Sequence, residues 1–116
     1  MKITGNIVKH FIFEILMICG GLAAISLLHT NTMALTIVMI LIGALMLKFW
    51  HKKLDILFFV TAAIIGPIGE IVSIQSGVWN YSIQHVLGIP LWLPLVWGFS
   101  FLMIKRVSNT LSRIEL

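Results

Sequence analysis

Glu70 is the residue whose type and position most clearly indicate chemistry, because it lies inside a long apolar segment. A charged side chain near the middle of a membrane costs about 2.5–3.5 kcal/mol on insertion scales, so an acid there is expected to serve a function. Gly66, Ser73 and Gly77 lie four residues before it, three after it and seven after it, which places them on its helical face. Pro67 removes a backbone hydrogen-bond donor just before the acid. The pattern predicts a functional carboxyl that faces protein, although Glu70 could instead only hydrogen-bond to a neighbouring span.

The segment from 76 to 98 contains the aromatic residues that could line a site beside Glu70. It holds three of the four tryptophans and the only tyrosine of the chain. An aromatic belt at the membrane interface accounts for Trp79 and Tyr81 but not for Trp97, which lies deeper. We therefore predict a site with Glu70 as its acid and the following binding residues: Trp79, Asn80, Tyr81, His85, Trp92 and Trp97.

The remaining titratable residues near or inside the apolar runs have structural explanations. Glu14 lies four residues after His10, so the two side chains are predicted to hydrogen-bond along one helical face. Asp55 follows two lysines and is predicted to be a charge at a helix start. His85 is either a second titrating group near the site or a solvated loop residue. Cys19 is the only cysteine, which excludes an internal disulfide and a cysteine-rich metal site, and neither metal nor cofactor is expected.

The composition indicates that lipid surrounds most of this chain. Of its 116 residues, 59% are hydrophobic and only 10% are charged, and the mean hydropathy is +1.07. Soluble domains are about a quarter charged, so a soluble domain is excluded. Nucleic-acid binding is also excluded, because the basic residues lie at the ends of apolar runs. Runs long enough to cross a ~30 Å hydrocarbon core predict an all-α, single transmembrane domain over 1–116, with spans at about 11–28, 32–47, 54–74 and 86–104.

The basic residues predict how these spans are oriented. All eight lysines and arginines precede the first span, lie between the second and third, or follow the fourth. By the positive-inside rule both termini face the cytoplasm, and the loops at 29–31 and 75–85 face outward. The sequence therefore predicts two helical hairpins of a multi-pass protein in a bacterial or archaeal inner membrane.

Residues 66–98 resemble membrane proteins of carotenoid biosynthesis. The loop is similar to that of the lycopene cyclases, although the Leu-Pro-x-Glu-Glu motif of those enzymes is here Leu93-Pro94-Leu95-Val96-Trp97, without glutamates. The carotenoid hydratases are more similar, because they place a glutamate before a Gly-x-x-x-Tyr loop and follow it with Gly-Val-Pro-Leu and Pro-Leu-x-Trp motifs. The matching residues are Glu70, Gly77, Tyr81, Gly88-Ile-Pro-Leu and Pro94-Leu-Val-Trp97.

This resemblance implies chemistry on an isoprenoid or carotenoid-like lipid. Hydration or cyclisation of an isoprenoid end group begins with proton donation to an alkene, which gives a tertiary carbocation. A carboxyl removed from water favours its protonated form, and aromatic faces attract cations by about 2 kcal/mol when water is excluded. Glu70 is then the expected catalytic proton donor, and the aromatic residues are expected to line an isoprenoid pocket at the outer leaflet.

The sequence is also consistent with two other functions. Four short spans with Glu14 in the first resemble the small multidrug resistance exporters, in which a first-span glutamate exchanges protons for cationic drugs. The one-sided basic residues speak against the antiparallel dimers that many of those exporters form. The chain could also be a noncatalytic subunit. Because four short helices enclose little pocket volume, a second copy or a membrane partner subunit is expected. Two faces of small residues could serve that contact: Gly20, Gly21 and Ala24 in the first span, and Gly66 to Gly77 in the third.

Overall fold

The computed structural model describes residues 2–114 and contains four α-helices. These are α1 (Gly5–Leu28), α2 (Thr32–Phe49), α3 (Lys53–Gln75) and α4 (Leu93–Ser112). Within the described residues there is no β-strand, and Val86 and Ile89 form an isolated bridge. The all-α prediction is confirmed.

Helices α1, α2 and α3 are each long and apolar enough to cross a membrane. The first two begin at side-chain caps, which explains where they start. Thr4 Oγ1 accepts the N–H of Ile7 at 3.3 Å, and Asn31 Oδ1 accepts the N–H of Ala34 at 3.1 Å. Even the shortest helix of the three, α2 with 18 residues, rises about 27 Å.

Helix α4 begins at Leu93, seven residues after the predicted start of the fourth span. Pro94 lies in its first turn, where the missing backbone N–H would have no helical partner in any case. The preceding residues 76–92 form an irregular loop in which Leu87 has a φ of +49°. The helix also continues beyond the predicted end at residue 104, as far as Ser112.

Helix α4 is the central element of the bundle. It contacts each of the other three helices, while α1 also packs against α2. The contacts use aromatic rings against glycines: Phe99 of α4 lies on Gly21 of α1, and Phe59 of α3 lies on Gly98 of α4. A Cβ placed on Gly98 would be 2.7 Å from the Phe59 ring, so only glycine allows this approach. The pairs α1–α2 and α3–α4 agree with the two predicted hairpins.

A buried ion cluster joins α3 to α4 at the end where α3 begins. Asp55 is completely buried and forms an ion pair with Lys105, while Arg106 Nη1 lies 3.8 Å from the same oxygen. The other oxygen of Asp55 accepts the N–H of Lys52 at 3.2 Å, as expected for an acid at a helix start. Arg106 also lies over the ring of Trp50, 5.1 Å from its centre.

The predicted hydrogen bond between Glu14 and His10 is wrong. Glu14 is 1% exposed, and its Oε2 accepts the hydroxyl of Thr110 at 2.8 Å. His10 instead accepts a guanidinium N–H of Arg113 at 2.7 Å. Thr110 lies in the last turn of α4 and Arg113 directly follows this helix, both beyond the predicted end of the fourth span, and they fix α4 to α1.

Candidate functional site

An elongated groove of about 670 Å³ lies between α3 and α4. One face of α3 forms its floor at helical spacing, from Leu54 to Ser73, a distance of about 28 Å along the helix. Leu54 and Ile65 on this face are more than half exposed, so the groove is open along its side. Helix α4 contributes Trp97 and Phe101. The groove is therefore about as long as a bilayer core is thick.

Two glycines of α3 shape the groove near its far end. Gly66 lies directly under the indole of Trp97, and a side chain there would overlap the ring. Gly69 also lines the groove, but a Cβ added at Gly69 would meet no atom within 4 Å. Gly66 and Ser73 thus share the groove face with Glu70, as predicted. Gly77 does not, because α3 ends at Gln75 and Gly77 adopts a φ of +82° in the loop.

Glu70 is the only acidic residue among those that line the groove. It is partly buried, and its Oε2 accepts a hydrogen bond from the hydroxyl of Tyr81. Trp79 and Trp97 line the same groove, Trp79 from the loop and Trp97 from the first turns of α4. The structure thus places one carboxyl, one phenol and two indoles around the end of an apolar groove.

The environment of Tyr81 keeps its phenol protonated. Burial raises the pKa of Tyr81 above its usual value, and the hydrogen bond to Glu70 and the negative charge that Glu70 carries when it is ionised raise this pKa further. Tyr81 also packs edge-to-face on Trp92, with ring centres 6.4 Å apart. The phenol therefore acts as a permanent hydrogen-bond donor to the carboxyl.

We expect the absorbance titration of the phenol to show this environment directly, because Tyr81 is the only tyrosine in the chain. The folded protein should ionise well above pH ~10, the usual pKa of tyrosine, and the unfolded protein near that value. Because the folded pKa is raised, the contribution to stability is complete below pH ~10 and is lost as the pH rises above it. In the folded Glu70→Gln variant, the pKa of Tyr81 should lie between its value in the folded wild type and the usual pKa of tyrosine. A folded wild type that ionises near pH 10 would contradict this account.

The other predicted site residues lie outside the groove. Asn80 is exposed in the loop, and His85 accepts the backbone N–H of Leu91 at 3.2 Å, which gives it a role in holding the loop. Trp92 is 7% exposed and lies behind Tyr81. His85 and Trp92 thus contact the loop that carries Trp79 and Tyr81, and none of the three residues lines the groove.

Sequence reasoning missed the part of the groove that lies toward the start of α3. Leu57, Phe58 and Thr61 line it there, and Phe101 lies opposite on α4, with its ring centre 5.5 Å from that of Trp97. These α3 residues recur at intervals of three and four residues, which places them on the same helical face as Glu70, and this spacing was the available signal for the groove. In an apolar helix this spacing does not distinguish a groove from a surface that faces lipid.

Comparisons with known proteins find no matching family model, no similar curated protein and no similar solved structure. They neither support nor contradict the resemblance of residues 66–98 to proteins of carotenoid biosynthesis. The function is therefore argued from the groove itself.

Proposed function

We propose that this protein is an integral membrane protein that binds an isoprenoid or carotenoid-like lipid in the groove and donates a proton to it from Glu70. The observation that carries this proposal is the single acid at one end of an elongated apolar groove, beside two indoles. Ligand sites are typically apolar with a few placed polar groups, and this groove fits that pattern.

The shape of the groove favours a long, thin, apolar ligand. Its length of about 28 Å exceeds one leaflet of a ~30 Å hydrocarbon core, so a ligand that fills it crosses the bilayer midplane. Because the groove is open along its side, such a ligand enters from the surrounding lipid. Isoprenoid chains have this shape and carry alkenes, the groups that a carboxylic acid can protonate.

Glu70 can act as a general acid through the oxygen that Tyr81 does not contact. Tyr81 bonds Oε2, which leaves Oε1 to carry the proton. The π electrons of an alkene take that proton to form a C–H bond, which leaves a tertiary carbocation on the lipid and a carboxylate on Glu70. The phenol of Tyr81 stabilises the carboxylate, and the faces of Trp79 and Trp97 stabilise the cation. Water then adds to the cation and releases a proton that restores Glu70, so the net reaction is hydration.

The proposed topology has four spans with both termini in the cytoplasm of a bacterial or archaeal cell. Supporting it, Lys105 and Arg106 of α4 meet the start of α3, where Lys52 and Lys53 lie. Glu70 then lies toward the outer leaflet. A second copy or a membrane partner subunit is proposed to cover the open side of the groove.

Filling the groove tests the proposal. Gly69→Leu places a branched side chain into the groove where no protein atom opposes it, so we expect the fold to be retained and lipid to be excluded. Bound lipid should be extracted from purified protein and quantified by mass spectrometry and absorbance. We expect about a tenfold loss of bound isoprenoid or pigment, because an overfilled site costs at least 1 kcal/mol.

Gly5→Leu is the matched control, because Gly5 is also helical and also has no atom within 4 Å of an added Cβ, but lies outside the groove and outside the predicted docking faces. The control should retain the lipid of the wild type. Equal lipid content in the Gly69→Leu variant and the wild type would remove the groove from the proposal.

A further inference from the structure

The groove ends beside a concentration of positive charge at the start of α3. Lys105 Nζ lies 5.9 Å from the ring centre of Phe58, which lines the groove. Lys105 and Arg106 share a single carboxylate, that of Asp55. Lys52 and Lys53 are exposed and directly precede Leu54, the first groove residue. Four cations against one anion leave an excess of three positive charges at this end.

The groove is lined almost entirely by apolar residues from Leu54 to Gly69, and the cations lie just outside its first residue. From Leu54 to Glu70 it extends for about 24 Å, and Thr61 is the only polar side chain that lines it between them. A ligand that satisfies both ends therefore has an anionic head at the lysines and an uncharged chain that reaches Glu70. A hydrocarbon with two apolar ends would leave the excess positive charge without a partner.

Building on the proposed function, we infer that the ligand is a prenyl phosphate whose phosphate lies at Lys52 and Lys53 and whose terminal isoprene unit lies at Glu70. The phosphate is at the cytoplasmic headgroup level, where lysine side chains reach anionic lipids. The prenyl chain crosses the midplane along the face of α3. Its terminal alkene lies beside Glu70 when the prenyl chain is long enough to reach that residue.

Binding of prenyl monophosphates and of the matching uncharged prenols to the purified protein in neutral detergent tests this inference. Quenching of tryptophan fluorescence reports binding, because Trp79 and Trp97 line the groove. Farnesyl and geranylgeranyl monophosphates should bind more tightly than farnesol and geranylgeraniol. In Lys52→Gln/Lys53→Gln we expect the preference for phosphate to fall about thirtyfold, since each lysine at an anionic headgroup contributes about fivefold.

Lys2→Gln/Lys9→Gln is the matched control, because it removes the same charge from exposed residues at the start of α1. This control should keep the preference for phosphate. An unchanged preference in the Lys52/Lys53 variant, or an equal loss in the control, overturns the phosphate assignment. If the prenols still bind to the wild type, and bind more weakly to the Gly69→Leu variant, the proposed lipid groove stands without the phosphate assignment. If neither class of prenyl compound binds, both proposals fail.

Discussion

Replacement of Glu70 by glutamine is expected to lower turnover of the bound isoprenoid by about 10²–10⁴-fold, the usual contribution of a general acid. Glutamine keeps the size of the side chain and can still accept the hydrogen bond of Tyr81, but it has no carboxyl proton to give. Binding should change little, because the groove is otherwise intact. The measurement is solvent deuterium incorporation: in heavy water, protonation of an alkene adds one deuterium to the product, which mass spectrometry counts.

Glu14→Gln is the matched control for this variant. Glu14 is also a glutamate within an apolar helix, but it is buried against Thr110 and lies outside the groove. Its replacement should leave deuterium incorporation unchanged. If Glu14→Gln abolished function and Glu70→Gln did not, proton-coupled transport through α1 would replace the proposed chemistry.

Asp55→Asn is expected to lower the free energy of unfolding by about 3–5 kcal/mol, as found when one partner of a buried ion pair is removed. Asp55 is completely buried, and the side chain of Lys105 is only 9% exposed. Asparagine has nearly the same shape, but it leaves the ammonium of Lys105 without its counter-charge. Denaturation in detergent micelles, followed by circular dichroism, measures the difference.

The double variant Asp55→Asn/Lys105→Met is the control for charge imbalance. It removes both charges, so it should be more stable than Asp55→Asn alone, since no ammonium is left buried without its counter-charge. If the free energy of unfolding of Asp55→Asn lay within about 0.5 kcal/mol of the wild-type value, the ion pair would contribute no more to stability than a surface pair. The cluster would then play little part in holding α4 against α3.

The apolar runs of the sequence predicted the existence of the helices better than their ends. Helix α2 begins at Thr32 as expected, while α1 begins six residues before its apolar run, because the side chain of Thr4 caps it. An apolar run marks the residues that lipid can surround, whereas backbone hydrogen bonding decides where a helix ends. The same distinction explains α4, which continues through Lys105 and Arg106 to Thr110 and so reaches Glu14.

The sequence predicted the residue types of the candidate site better than it predicted how these residues are arranged in space. The spacing of Gly66 and Ser73 placed them beside Glu70, since helix geometry relates them directly. The contact of Tyr81 with Glu70 depends instead on the path of the loop, in which Gly77 and Gly88 have positive φ values. Periodicity carries no information about such a path, so Asn80 and His85 were assigned to the site but lie outside it.

The central position of α4 has a consequence for biogenesis. The surfaces of Gly21 in α1 and Gly66 in α3 pack against Phe99 and Trp97 of α4, which is translated after the other three helices. Until residues 93–112 have been translated, the earlier helices lack most of the surfaces that hold them together. A nascent chain arrested in the loop 76–92 would thus remain a set of loosely associated helices, open to proteolysis.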